Sequence, residues 1–319
     1  MGRRGPAVVG ALLCAALATA GCGLGPGEYT GDVPVTVTRE FGAVPVREII
    51  VSSHESDTVM RALEGVADVE TRYGGGFVHS IDGVSEEQHD GDPYDWFFYV
   101  DGVESQIGAA DYALEGEERV WWDYHDWGAT NHIPAVVGSW PAPFRDGIGG
   151  KRYPVAVECM ERLRGSFVRD NRTKEPRACA VTREALEREG ARVVSGTPDD
   201  AIRVLVGPWA RVRQDATARL IEEGPAESGV FADFKAGNSG YELVALDEGG
   251  ADAEQLGPDA GLVAATSRYG GLPVWVVTGG TAKAVRRASA LLDPNLLGQH
   301  FAVAIGSAPI TIPLPLENP

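Results

Sequence analysis

The sequence predicts an α+β protein built of two dissimilar halves, and three observations carry that expectation. From Val33 to Trp127, alternating valines and aromatics surround one short helical pattern. From Lys151 onward, strand-like runs alternate with helix-like ones, as in a small α/β domain. Between them, Gly128 to Gly150 is rich in Pro and Gly, carries Trp140 and Phe144, and reads as a linker that packs against something. A chain of 319 residues suits one or two domains.

In the first half, Val33 to Phe41 alternates valine with polar residues, the pattern of a half-buried strand. Gly42-Ala43 turns the chain, and Val44 to Ser52 makes a second strand, closing a hairpin. Asp57 is placed to cap a helix from Thr58 to Leu63, which puts Val59, Leu63 and Val66 on one face and ends at Gly65. Phe77 to Ile81, Trp96 to Val100 and Arg119 to His125 are further strands. Asp101-Gly102 is a hairpin turn signal, because both residues accept positive φ. Two strands, a helix and then more strands is the order of a β-grasp.

The segments Val35-Thr-Val-Thr38 with Phe41-Gly42, Thr58-Val-Met-Arg-Ala-Leu63, Tyr73-Gly-Gly-Gly-Phe77 with Ile81-Asp-Gly83, Tyr94 to Gly102, Gly108-Ala109 with Tyr112, and Val120-Trp-Trp-Asp-Tyr124 resemble, in that order, the transcobalamin C-terminal-like domain of the soluble-ligand-binding β-grasp superfamily. The resemblance spans residues 33–127. It implies a β-grasp fold and a soluble ligand. In transcobalamin this domain closes over a corrinoid held by a larger helical domain, and nothing here resembles that helical domain. Asp101 stands where the family often has Asn.

In the second half, Tyr153 to Met160, Ile202 to Val206, Gly229 to Phe234, Tyr241 to Leu246, Val274 to Val277 and Phe301 to Ile305 read as strands. Helices are expected from Thr182 to Glu189, after Gly207-Pro208-Trp209 to about Glu223, and from Thr281 to Leu292. Residues 151–308 make this α/β domain, and 309–319 read as a Pro-rich tail with no core of its own.

The amino terminus reads as an export signal. Basic Arg3 and Arg4 precede an apolar run, Ala7 to Ala20, too short to span a bilayer. Thr19-Ala20-Gly21 before Cys22 resembles a bacterial lipobox, which implies a signal peptide over residues 1–21 and a diacylated Cys22. The alternative is an ordinary secretory signal with an incidental cysteine. Residues 22–32 would be a flexible tether. The expected location is the extracytoplasmic face of the cell membrane. Cys14 leaves with the signal, so Cys159 and Cys179 remain where disulfides persist, and a bridge between them is expected.

Without Arg3 and Arg4, 26 of the 28 basic residues face 46 acidic ones. That balance argues against nucleic acid as a partner. No nucleophile elbow and no phosphate loop occur. Thr278-Gly-Gly-Thr281 reads as a tight βα turn before it reads as an anion site. The clusters His89-Asp-Gly-Asp92 with Asp95, and Asp123-Tyr-His-Asp126, lack metal-site spacing and read as solvated acidic segments. No cofactor and no enzymatic activity are expected.

Aromatics carry the remaining signal. Phe97 and Tyr99 point away from Trp96 and Phe98 on one strand, and Trp122 and Tyr124 share a face of another. One helix covers only one face of a β-grasp sheet. The second aromatic face therefore meets a ligand or packs against the other half, with Trp140 and Phe144 as the cover. The ligand reading selects Tyr73, Phe97, Tyr99, Trp122 and Tyr124, and a flat, corrinoid-like molecule presented to a membrane transporter. The alternative function is a structural or scaffolding envelope protein making protein contacts.

Overall fold

A computed structural model describes residue 2 and residues 27–85, 93–160, 175–237 and 240–317. The export signal, Cys22 and the His89–Asp92 cluster lie outside the described residues. The fold class is α+β, with four sheets among the described residues and short helices between them.

The first half contains β1 (Tyr29–Arg39), β2 (Val44–His54), α1 (Val59–Glu64), β3 (Val69–Arg72), β4 (Phe77–Ile81), β5 (Tyr94–Val100), β6 (Val103–Glu104) and β7 (Val120–Asp126). The main sheet runs β2-β1-β7-β5-β6, with β1 and β7 parallel at its centre. A small ribbon, β3-β4, stands apart from it. Val33, Val35 and Val37 alternate into one face, where α1 covers them with Val59, Met60 and Leu63. Thr58, not Asp57, is the residue that caps α1: its hydroxyl accepts from the Arg61 N–H at 3.3 Å. Asp57 instead accepts from the His54 N–H at 2.8 Å, holding the end of β2. Asp101 (φ 50°) and Gly102 (φ 78°) make the expected left-handed hairpin turn.

Residues 128–150 pack, as their aromatics lead one to expect, and against both halves. Ile133 and Val136 pack against the first half, while Val137, Trp140 and Phe144 enter the core of the second, where α2 (Ala142–Arg145) forms. Apolar side chains at this spacing are bought out of water only by tertiary contact, which the Pro/Gly content hides.

The second half adds β8 (Val155–Cys159), α3 (Arg177–Arg188), β9 (Val193–Val194), β10 (Ile202–Pro208), α4 (Trp209–Val212), α5 (Pro225–Ser228), β11 (Ala232–Gly237), β12 (Gly240–Leu246), β13 (Asp252–Gly257), β14 (Gly261–Thr266), β15 (Val274–Gly279), α6 (Ala282–Ser289), α7 (Pro294–Leu297), β16 (Ala302–Ile305) and β17 (Thr311–Leu314). A mixed sheet runs β17-β16-β14-β15-β10-β8-β9, and β15, β10, β8 and β9 are parallel. Its one face packs on α3 and α6; the other packs on the β11-β12-β13 sheet and the segment after β10.

Three sequence expectations change here. The helix expected to run to Glu223 stops at Val212 and resumes as a 3-10 segment at Ala218. Asp215 Oδ1 accepts from the Thr217 and Ala218 N–H groups (2.9 and 3.2 Å), and such a local bond competes with helix propagation. The tail is not coreless: β17 pairs with β16 and buries Leu314, and Pro313 is tolerated because β17 is an edge strand. Strand β14 went unpredicted because Gly261-Leu-Val-Ala-Ala-Thr266 is buried on both faces and shows no alternation.

Cys159 and Cys179 form a disulfide, with Cα atoms 6.0 Å apart. It fastens the end of β8 to the first turn of α3.

Candidate functional site

Strand β5 delivers Tyr94, Trp96, Phe97, Phe98 and Tyr99 to the middle of the first half. Its antiparallel register with β7 decides which of them meet. Trp96 opposes Tyr124 and Phe98 opposes Trp122, whereas Phe97 opposes Asp123 and Tyr99 opposes Trp121. Directly opposed residues share a face. Phe97, Tyr99, Trp122 and Tyr124 therefore do not form one face, which corrects the sequence expectation. Trp122 and Tyr124 lie under α1, and the Tyr124 ring sits 5.5 Å from Tyr94 and 5.1 Å from Trp96.

Phe97 and Tyr99 face the second half. Tyr99 is fully buried in a cluster with Phe41, Trp121, Phe231 and Phe301. Burial pushes its phenol well above the usual tyrosine range, with Glu104 and Asp123 adding to the effect. The cover is thus Phe301 and Phe231. Trp140 and Phe144, expected to be the cover, pack instead against Trp275 inside the second half, because residues 137–145 turn into that core.

The same face holds a buried polar network. Asp123 accepts from the N–H groups of Phe41 and Gly42 at 3.0 and 2.9 Å and pairs with His125 Nδ1 at 2.8 Å. It also bonds the Thr38 hydroxyl, which in turn accepts from Trp121 Nε1 at 2.7 Å. A solvated strand end was expected at Asp123–Asp126; instead Asp123 and His125 are sealed. The cause is the β1–β2 turn, whose backbone N–H groups need a buried acceptor. Phe41 stacks on His125 at 4.5 Å, so the Phe41-Gly42 pair and the Asp123-x-His125 pair are one structural unit.

Strand β6 pairs with β5 only at Tyr99 and Val100. Beyond that point a cavity of about 230 Å³ opens between β4 and β5. Phe77, Trp96, Phe97, Phe98 and Ala109 supply apolar walls, Trp122 contributes to the lining, and Asp95 and Glu104 add carboxylates. The Trp122 indole N–H is buried and has no acceptor among the described residues. Such a donor carries the cost of lost hydration with nothing in return. Glu104 is held by the Ile133 N–H at 2.7 Å and by His132 Nδ1, an interaction that raises the His132 pKa.

Tyr73 stands at the edge of this groove, 88% exposed, with its ring edge-on to Phe77 at 6.1 Å. Tyr73, Gly74 and Gly75 all take positive φ (54°, 80° and 97°). A Cβ on Gly74 or Gly75 would meet nothing within 4 Å, so these glycines serve the backbone conformation rather than close packing. Ile107, between the lining residues Ser105 and Gly108, is also exposed.

Of the five residues chosen from sequence, the groove brings together Phe97 and Trp122, with Tyr73 beside it. Tyr99 and Tyr124 are core residues. Phe77 and Phe98 were missed as groove residues, and the signal that pointed to Phe77 was the three-glycine turn before it. Among the described residues, no group of three or more His, Cys, Asp or Glu side chains could hold a metal ion.

Residues 56–126 match the family described as a domain of unknown function, DUF4430. No curated protein matches the chain at a significant level. Similar solved structures include haptocorrin in complex with Cbi, at 14% identity and a TM-score of 0.25, with 31% of this chain and 26% of that one covered. A candidate metal-binding protein from Ruminococcus gnavus matches at 14% identity and a TM-score of 0.24, over 30% of this chain and 97% of its own. The chain thus spans about a quarter of haptocorrin's length. Likenesses this distant carry no argument about function.

Proposed function

We propose that the chain is a lipid-anchored, extracytoplasmic binding protein that holds a flat, largely apolar ring ligand, corrinoid-like in character, in the β4–β5 groove and presents it to a membrane transporter. The observation that carries this reading is the groove itself: aromatic walls to which Trp122 contributes, with an indole N–H that has no acceptor among the described residues. A ring ligand with one peripheral acceptor would stack on Phe77 and Phe97 and satisfy that donor. Tyr73 would close over it. The burial of the Thr38–Asp123–His125 network supports reading it as structural.

Native mass spectrometry of protein from its own host, followed by tryptophan fluorescence titration with corrinoids, tests the ligand. Tyr73→Ala, at an exposed position, should weaken binding about tenfold without lowering stability. Absence of both a retained ligand and any quenching sinks the reading. Separately, Cys22→Ser should release the chain from membranes or leave its precursor uncut; normal processing with retained membrane association removes the anchor.

A further inference from the structure

The covered face of the first sheet is not covered throughout. Over β5 and β7 the contact with the second half is sealed around Tyr99, Trp121 and Phe301. Over β1 and β2 it gapes. A cleft of about 460 Å³ lies there, between that sheet face and the segments 138–141 and 294–299. The size suits a small molecule, and junctions between halves are common places for one.

Register fixes its sheet wall. Glu48 opposes Thr36 across β2 and β1, and Thr36 opposes Trp121 across β1 and β7, so the three share one face. Arg119, two residues before Trp121, also lines the cleft. Two strand spacings and two residues of offset along the strand, roughly 12 Å in all, separate the Glu48 and Arg119 backbones. Across from them stand Ser139, Asn295 and Gln299.

Charge is what distinguishes this cleft. Arg145, also in the lining, is committed to Asp146 by two bonds of 2.8 and 2.7 Å. Glu189 lies 3.7 Å from the Arg188 guanidinium. Among the described residues, neither the Arg119 guanidinium nor the Glu48 carboxylate makes a direct ion pair, although the Arg119 charge acts on the buried Asp101 carboxyl, and they line opposite sides of the cleft's sheet wall. The Ser139 hydroxyl, in a residue only 4% exposed, also lacks a partner among the described residues. One cation and one anion without direct ion pairs, faced by the Ser139 hydroxyl and the Gln299 carboxamide, complement a ligand with both charges.

We infer that this cleft binds a small zwitterion of amino-acid or dipeptide size, its carboxylate on Arg119 and its ammonium group on Glu48. A guanidinium takes a carboxylate through two parallel N–H donors, and Glu48 accepts from an ammonium. The site is separate from the aromatic groove.

Isothermal titration calorimetry on the purified chain tests it, with glycine, L-alanine, L-glutamate and L-alanyl-L-alanine as probes and acetate and methylamine as singly charged controls. At least one zwitterion should bind with a Kd below about 1 mM. Arg119→Gln and Glu48→Gln should each weaken it about tenfold, while Tyr73→Ala leaves it unchanged and acetate and methylamine do not compete. Glu48 lies on β2 and Arg119 just before β7, both reached by solvent, and unchanged melting curves confirm folded variants. The inference is overturned if no zwitterion binds below about 10 mM, if either substitution leaves binding intact, or if acetate or methylamine binds as tightly as alanine.

Discussion

Gly42 meets the Gln299 carbonyl so closely that a Cβ there would lie 1.9 Å from its oxygen, and its φ is 87°. Both facts forbid a side chain. The same turn donates two N–H groups to Asp123, so a shift of Gly42 also disturbs a buried carboxylate. Gly42→Ala is expected to destabilise the chain by roughly 3 kcal/mol, read by urea unfolding. A loss within experimental error would mean that the second half yields at Gln299. Asp101 is governed by burial, which raises its pKa from 3.8 to about 7, with Glu118 and Asp146 adding to the shift while the Arg119 N–H opposes it. Glu248 is raised to about 7 by burial and by Glu40 and Asp126. Between about pH 4 and 7 the folded chain holds protons at these two sites that the unfolded chain has released. Stability from them therefore falls as pH rises through that window. His132, raised by Glu104, acts in the same sense near neutrality, and His300, lowered by burial, opposes it. The melting midpoint should be higher at pH 6 than at pH 8. Asp101→Asn keeps an acceptor for the Arg119 N–H and suits the left-handed turn, so it should raise the midpoint at pH 8 by several degrees and flatten the profile. An unchanged profile would remove Asp101 as its source.

At the scale of elements, alternation wrote the first half plainly. Residues 33–37 and 58–63 show periods of two and of about three and a half, and β1, β2 and α1 follow them. Alternation fails where a strand is buried on both sides, as in β14, or where an edge strand contains proline, as in β17. Those two strands are legible only after their neighbours are in place. The disulfide at the end of β8 closes a span of 20 residues. Closing a loop of that length stabilises by about 3 kcal/mol in the chain-entropy argument. Reduction should lower the urea midpoint accordingly, and peptide mapping without reductant should show Cys159 linked to Cys179. Two alkylatable thiols in the native chain would contradict it.

Across the whole molecule, the first half is unfinished without the second. Phe41, Tyr99 and Trp121 are at most 4% exposed, and their cover comes from Ile133, Val136, Phe231, Val244, Leu246 and Phe301. Residues 27–127 expressed alone would present this aromatic patch and the Asp123–His125 pair to water. They should bind a hydrophobic dye and melt broadly, whereas residues 27–317 melt cooperatively. A sharp transition in the isolated piece, with no dye binding, would show that the patch is tolerated and that the two halves are independent domains.

The sequence by itself determined the fold class, the hairpin at Asp101-Gly102, the cysteine pairing and the strand faces of β5 and β7 taken singly. Each of these depends on a local period, on turn chemistry or on counting the thiols left. Only the tertiary structure decided which aromatics became a groove and which became core. That outcome rests on the β5–β7 register, on where β6 stops and on which side chains of the second half arrive at the sheet. Phe97 and Tyr99 alternate with Phe98 identically in sequence, yet one lines a cavity and the other is sealed, because only Tyr99 lies where Phe301 lands. Nearest-neighbour pattern fixes the direction a side chain points; what waits there is set by contacts hundreds of residues away in the chain.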